Sequence, residues 1–205
     1  MTYNKIPLKT AIKDNEQLKL ILQLPFVHES LLAGGTIAGG FVRNLLNGGN
    51  LYHYLSVPDY SNTKKIKTHS GDIDIFFENV NQINQVLCSR DQFSYLKDLE
   101  ISPSLTNICT NINYDTTSML NYKICGRLKV QLVSGFYGKA EDVMETFDFT
   151  NSRCAIDSQF IYYDKKFFEL EKNKLLDVRH GNGPLTGYRI LKYLNKRGLG
   201  TITNE

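Results

Sequence analysis

The stretch HSGDIDIFF, residues 69–77, carries two aspartates in a segment that is otherwise typical of a buried strand. A glycine precedes β-branched and aromatic residues, a pattern that predicts a β-strand. Because side chains alternate between the faces of a strand, Asp72 and Asp74 share one face, and Ile73 and Ile75 share the other. Two neighbouring carboxylates repel each other and are costly to bury, unless a hard cation such as Mg²⁺ lies between them. The alternative is an edge strand whose acidic face is only solvated.

The composition narrows the class of protein. With 205 residues, the chain is long enough for one domain with a substantial core. Its net charge of +3 is too small to indicate a nucleic-acid partner by itself, although it permits one. The sequence shows no apolar leader and no run of membrane-spanning length, so we expect a cytoplasmic protein without a membrane partner. The cysteines lack C-x-x-C spacing and indicate reduced thiols; they are Cys88, Cys109, Cys125 and Cys154.

Hydrophobic periodicity predicts an α+β fold, in which a mixed, partly antiparallel sheet is flanked by helices. Residues 50–70 are polar and rich in tyrosine, which indicates a loop or a small insertion. The predicted elements are helices on both sides of Pro25 within 14–32, a strand at 36–40, a helix at 41–49, the aspartate strand at 72–77, a helix at 79–99, hairpin strands within 102–125, a strand at 127–135, a helix at 139–147, a strand pair within 158–170 and a helix at 187–199.

A pair of glycines marks a second candidate site element. IAGGFVRNLLNG, residues 37–48, places Gly39 and Gly40 between a predicted strand and a predicted helix. Glycines let the backbone approach a ligand closely, and a helix N-terminus offers N–H groups to a phosphate. Arg43, about one turn into the helix, can add a charge-assisted contact. Many tight turns share this pattern, but together with the Asp-x-Asp strand it predicts one element that holds a triphosphate and another that holds its metal ion.

These two blocks resemble the catalytic head of the nucleotidyltransferase superfamily, to which DNA polymerase beta belongs. They are similar to the signature of CCA-adding tRNA nucleotidyltransferases and bacterial poly(A) polymerases, which reads Gly-Gly-x-Val-Arg-Asp-Leu-Leu-Leu-Gly and then Asp-x-Asp. FDFTNSRCAID at 147–157 resembles that family's Arg-Asp-Phe-Thr segment. PLTGYRILKYLNKRGL at 184–199 resembles its nucleotide-selecting segment. The four blocks follow the family's order across residues 36–199.

Several positions depart from the family pattern. Asn44 replaces an aspartate, and the insertion at 50–70 lengthens the gap before the Asp-x-Asp strand. Asn182 and Gly183 stand in place of an acidic pair, and Thr186 stands in place of the first arginine of the selecting segment. We expect no counterpart of the body and tail domains that grip tRNA in the family. We therefore expect a compact member, of a kind found in phages and large viruses, rather than a complete CCA-adding enzyme.

The resemblance implies a polymerase-beta-like palm over residues 1–160 and a neck-like extension, a strand pair and a helix, over 161–205. It implies transfer of a nucleoside monophosphate from an NTP to a hydroxyl acceptor with two Mg²⁺ ions, the acceptor being an RNA 3′ end such as that of tRNA. A protein or small-molecule acceptor, or an inactive nucleotide- or RNA-binding relative, is the alternative. The oligomeric state is not indicated. The residues implied are Asp72 and Asp74 as metal ligands and catalytic residues, Asp148 as a third catalytic residue, and Gly39, Gly40, Arg43, Arg189 and Lys192 as nucleotide-binding residues.

The third carboxylate stays an open question in the sequence. Many relatives supply it from the strand that corresponds to LKVQLV, but the candidate there is Gln131, an amide that can neither act as a base nor neutralise a metal ion. Asp148 is the other candidate, by its match to the Arg-Asp-Phe-Thr segment. An aspartate in this context also commonly caps the turn that follows it.

Two basic groups have a functional and an ordinary interpretation. The predicted helix at 187–199 has a basic face, formed by Arg189, Lys192 and Lys196. One interpretation is that this face contacts a nucleobase or RNA phosphates; the other is that it is simply exposed to solvent. The insertion combines lysines with tyrosines, which suits single-stranded nucleic acid as well as a plain polar loop. Its residues are Lys64, Lys65, Lys67, Tyr52, Tyr54 and Tyr60. Of the four isolated histidines, only His69 lies near the aspartates.

Overall fold

The computed structural model describes residues 3–49, 55–58, 66–67, 71–88, 100–103, 109–115, 127–179, 184–197 and 200–203. The helices are α1 Leu8–Asp14, α2 Glu16–Leu22, α3 Pro25–Leu32, α4 Gly40–Leu46, α5 Val80–Cys88, α6 Ala140–Glu145, α7 Phe167–Lys172 and α8 Pro184–Arg197, with a short 3-10 helix at Thr150–Ser152. The strands are β1 Asn4–Pro7, β2 Thr36–Ala38, β3 Leu55–Pro58, β4 Ile66–Lys67, β5 Ile73–Phe77, β6 Glu100–Pro103, β7 Cys109–Asp115, β8 Arg127–Tyr137, β9 Cys154–Ile156, β10 Phe160–Tyr163, β11 Leu175–Val178 and β12 Gly200–Thr203.

A mixed sheet organises the fold. Its central order is β1-β10-β9-β2-β5-β8, and beyond β8 the sheet continues with β3 and then β4. Strands β5 and β8 run parallel, whereas β2 is antiparallel to both β5 and β9. The hairpin of β6 and β7 adds to β8, since β7 is antiparallel to it over seven residue pairs. The predicted α+β fold with a mixed sheet flanked by helices is confirmed.

The two faces of the sheet are covered differently. Ile73, Ile75 and Phe77 are completely buried in the larger core, which lies between the sheet and helices α1–α5. Phe76 points to the other face and packs with residues of α6 in a smaller core. Asp74 shares that second face, as the alternation predicts. The aspartate strand is therefore central in the sheet rather than at its edge.

In two segments the structure adds to or differs from the elements predicted from the sequence. The segment 50–70, predicted as a loop or small insertion, contains the paired strands β3 and β4; its other residues lie outside the described part of the chain. The predicted strand pair at 158–170 is wrong in its second half, because Phe167–Lys172 is a helix. Asp164 starts a turn there, with its carboxylate accepting a hydrogen bond from the Lys166 N–H at 2.9 Å.

Helix α7 then buries Phe167 and Leu170, which lie at helical spacing. Strands β11 and β12, which the periodicity did not predict, form a separate parallel pair. The helix predicted at 79–99 is described only as far as Cys88. Within the described residues, no helix has the length and apolarity needed to cross a membrane.

Candidate functional site

A cavity of about 370 Å³ opens beside the aspartate strand. Asp72 precedes β5 and Asp74 lies within it, so their common face borders the cavity. Asp74 is paired with Ala38 of β2 and with Gln131 of β8. The lining residues come from four distant segments of the sequence: Gly39, Gly40, Phe41, Gly71, Asp72, Asp74, Phe147, Asp148, Phe149, Ser152, Arg189, Lys192 and Tyr193.

The aspartate pair is electrostatically unfavourable in the protein alone. Burial of the Asp74 carboxyl and the neighbouring charge of Asp72 raise its pKa from 3.8 to about 7, although Lys129, Arg189 and Lys192 act in the opposite direction. A divalent cation between the carboxylates would offset both the cost of burying the Asp74 charge and its repulsion by Asp72. The donor set therefore fits Mg²⁺, which prefers one or two carboxylates together with substrate phosphates. Within the described residues, no group of three or more His, Cys, Asp or Glu side chains could hold a metal ion.

The adjacent strand β8 supplies a lysine and an amide rather than a carboxylate. The Lys129 Nζ lies 3.6 Å from Asp72 Oδ2, and both side chains are about two-fifths exposed (42% and 40%). Gln131 is buried and stands in register with Asp74. The strand that carries a third carboxylate in many relatives thus places an amide beside the pair, as the sequence predicts.

Gly39 and Gly40 have different roles in the structure. Gly39 has φ +82° and ψ −138°, a conformation that residues with a Cβ avoid, and a Cβ there would lie 3.5 Å from the Phe147 ring. Its N–H donates to the Cys154 carbonyl at 3.0 Å, which holds the turn against β9. A Cβ at Gly40 would meet no atom within 4 Å. Gly39 therefore shapes the turn, while Gly40 leaves space on the cavity side.

Asp148 is buried at the cavity wall, where its Oδ2 accepts hydrogen bonds from Arg189 Nη1 at 2.8 Å and from Thr186 Oγ1 at 3.2 Å. It is not the N-cap residue of the 3-10 helix that follows, because Phe149 occupies that position. Thr186, which replaces the family's first arginine, thus helps to bind this carboxylate. The arrangement makes Asp148 an anchor for Arg189.

Helix α8 contributes one face to the cavity. Arg189, Lys192 and Tyr193 line it, and the Tyr193 hydroxyl lies 3.1 Å from Ser152 Oγ. Tyr193 also packs edge to face on Phe149, with 5.2 Å between ring centroids. The side chains of Lys67 and Lys196 lie outside the described part of the chain, as do the lysines and tyrosines at 52–65 and His69.

Arg43 is not among the cavity-lining residues. Its guanidinium is buried and donates from Nε and Nη2 to Glu171 Oε1, at 2.8 and 2.6 Å. It also lies over the Tyr193 ring, 4.9 Å from the centroid. Glu171 further accepts hydrogen bonds from the side-chain amides of Asn47 and Asn151. In this arrangement Arg43 supports the cavity wall from behind, instead of facing a phosphate.

The sequence reasoning missed several residues of the site. Tyr193 lies four residues after Arg189, so the helical spacing that singled out the basic residues also places it on their face. Glu171 carries no local signal, because it meets Arg43 from 128 positions away. Phe147 and Phe149 lie in the segment 147–157 that resembles the Arg-Asp-Phe-Thr block, but the sequence pattern does not indicate that they line a cavity.

Comparison with known proteins gives a family and a fold. The sequence model described as "Gabija anti-defense 2 family protein", Gad2, matches residues 11–174. No curated protein matches the sequence.

Solved structures of CCA-adding enzymes resemble the chain. An apo form has a TM-score of 0.58 at 14% identity, and a complex with ATP has a TM-score of 0.55 at 15% identity; each comparison covers 98% of this chain and 43% of the other. The Thermotoga maritima CCA-adding enzyme complexed with tRNA has a TM-score of 0.53 at 14% identity, over 100% of this chain and 44% of that one. At these identities the likeness shows a nucleotidyltransferase-like fold. The chain spans less than half the length of these enzymes.

Proposed function

The chain belongs to the Gabija anti-defense 2 family, and from the residues that line its cavity we propose that it is a Mg²⁺-dependent nucleotidyltransferase. The observation that carries the proposal is that Asp72 and Asp74 share one cavity with the Gly39–Gly40 turn. That combination places two carboxylates, suited to a hard cation, opposite a backbone segment that a triphosphate can approach. The nucleotidyltransferase-like fold of the similar structures supports the same assignment.

The residues of the chain would divide the work as follows. Asp72 and Asp74 would hold Mg²⁺, and Gly40 would leave room for the triphosphate at the backbone. Arg189, fixed by Asp148, and Lys192 would offer positive charge to the nucleotide. When bound, Mg²⁺ would neutralise the triphosphate and lower the pKa of the acceptor hydroxyl.

The proposed reaction is a displacement at the α-phosphorus of the NTP. The acceptor oxygen forms a bond to this phosphorus while the bond to the bridging oxygen breaks, and pyrophosphate leaves. The acceptor proton passes to water, because Asp148 is already bound to Arg189 and Gln131 is an amide. Positioning and charge compensation account for most of such catalysis, which these residues are suited to provide.

We propose an RNA 3′ hydroxyl as the acceptor. The similar structures include a CCA-adding enzyme complexed with tRNA, and α8 presents two basic side chains at the cavity. The second candidate is a protein of the Gabija defence, which the anti-defence description of the family favours. The same description supports the expectation that the protein is encoded by a phage or virus and acts in the host cytoplasm.

The test is incorporation of each α-³²P-labelled NTP, with Mg²⁺, into RNA and into protein from cells with and without the Gabija defence. Asp72→Ala/Asp74→Ala is the inactive reference. Asp14→Ala/Glu16→Ala is the matched control, because it removes two exposed carboxylates two residues apart, outside the cavity lining. Label in RNA supports the first acceptor, and label only in protein from defended cells supports the second. No label above the double mutant in either pool contradicts nucleotidyl transfer.

A further inference from the structure

Strand β8 presents a lysine and an amide directly to the aspartate pair. Its parallel register with β5 sets Val130 beside Ile73 and Gln131 beside Asp74. Continued by one residue, this register sets Lys129 beside Asp72. Because the side-chain period of a strand is two, Lys129 and Gln131 lie on the face that carries the aspartates. The pattern Asp-x-Asp on one strand therefore meets Lys-x-Gln on the next.

Lys129 forms an ion pair with one carboxylate and precedes by two residues the strand partner of the other. Its Nζ lies 3.6 Å from Asp72 Oδ2, and Gln131 is in register with Asp74. An exposed ion pair of this kind adds little to stability. A contribution to stability therefore does not account for the position of Lys129 beside two candidate metal ligands.

The formal charges of the carboxylates, Lys129 and the cations suggest a role for this lysine. Three carboxylates with two divalent cations, the set expected from the family resemblance, carry one net positive charge. Among the described residues no third carboxylate joins the pair, because Gln131 is neutral and Asp148 is bound to Arg189 and Thr186. Two carboxylates with the Lys129 ammonium and one divalent cation carry the same single positive charge. A second divalent cation would raise the total by two.

Building on the proposed nucleotidyltransferase function, we propose that Lys129 supplies the positive charge that a second divalent cation would otherwise supply, so that the site holds one such ion with the nucleotide. The ammonium offers three N–H donors and favours negative charge on a nearby oxygen. The ion pair with Asp72 holds the ammonium beside the candidate metal ligands, and the two aspartates serve a single ion. The two-ion arrangement expected from the resemblance is the alternative that the following test distinguishes.

The test counts Mn²⁺ bound per chain by electron paramagnetic resonance, with a saturating α,β-methylene NTP analogue that cannot be transferred and with the metal–analogue complex alone as the baseline. The variants are Lys129→Met, Lys129→Arg and, as the matched control, Lys139→Met, which removes an exposed lysine outside the cavity lining. Circular dichroism checks each fold, and Lys129→Gln replaces Lys129→Met if the latter does not fold.

We expect one Mn²⁺ per wild-type chain. Removal of the ammonium in Lys129→Met should tighten Mn²⁺ binding several-fold, up to about tenfold, or admit a second ion, because the repulsion that is lost comes from a partly exposed and therefore screened charge. Lys129→Arg and Lys139→Met should match the wild type. Two ions in the wild type, or a Lys129→Met protein indistinguishable from it, would overturn the inference while leaving the proposed function intact. Failure of the wild type to bind both Mn²⁺ and the analogue would overturn the proposed function itself.

Discussion

Replacing Asp74 by asparagine should stabilise the protein without bound metal at neutral and alkaline pH. Asparagine keeps the size of the side chain but removes the charge that burial and Asp72 make unfavourable. A carboxyl whose pKa is raised on folding binds its proton more tightly in the folded state. The wild type therefore loses stability as the pH rises from about 4 through about 7, and then stays level.

The size of the effect follows from the shift. A pKa that moves from 3.8 to about 7 corresponds to about 4 kcal/mol of free energy of unfolding. For a chain of 205 residues this is a difference in Tm of about 10 °C. The variant should gain this stability at pH 8 and little of it at pH 4, where the wild-type carboxyl is protonated in the folded state and only partly ionised in the unfolded state.

The assay is urea denaturation in EDTA, followed by circular dichroism, at pH values from 4 to 8. Asp14→Asn, at an exposed aspartate, is the control and should show no pH-dependent gain. Saturating Mg²⁺ and NTP should reverse the order at pH 8, because ligand stabilises only the state that binds it. Equal stabilities of wild type and Asp74→Asn across the pH range would refute the reasoning that the ionised Asp74 carboxylate destabilises the metal-free fold.

The remaining predictions concern the support of the cavity. Glu171→Gln should destabilise the fold by about 3–5 kcal/mol in urea denaturation, because it leaves the buried Arg43 charge uncompensated. Glu141→Gln, which breaks a more exposed ion pair, should cost at most about 1 kcal/mol, and equal losses in the two variants would contradict this reasoning. Gly39→Ala should destabilise by about 1–3 kcal/mol through its backbone conformation. Gly40→Ala should leave stability unchanged and weaken NTP binding in calorimetry; unchanged binding would exclude the backbone approach at this position.

Local patterns predicted the part of the site that depends on one strand and one turn. Alternation placed Asp74 opposite the completely buried Ile73 and Ile75, and the structure agrees. A glycine pair after a strand predicted the turn at Gly39, whose positive φ requires glycine. Both features are decided within a few residues of the chain.

Pairings between distant segments could not be predicted in this way. Arg43 was expected at the nucleotide by its position in a helix, but Glu171, 128 residues away, holds it behind the cavity wall. Asp148 was a candidate catalytic group, whereas its bonds to Arg189 and Thr186 arise from the docking of α8. Such contacts depend on how elements pack, which neither periodicity nor turn chemistry records.

The most direct test of the central claim is to compare two labels on the same NTP. Wild-type protein with Mg²⁺ and the acceptor pools is incubated with α-³²P-NTP and, in parallel, with γ-³²P-NTP. Nucleotidyl transfer predicts that the α label joins a macromolecule and that the γ label is recovered in pyrophosphate, both effects being lost in Asp72→Ala/Asp74→Ala. Transfer of the γ label to a macromolecule, or no transfer of the α label by the wild type, would contradict the account.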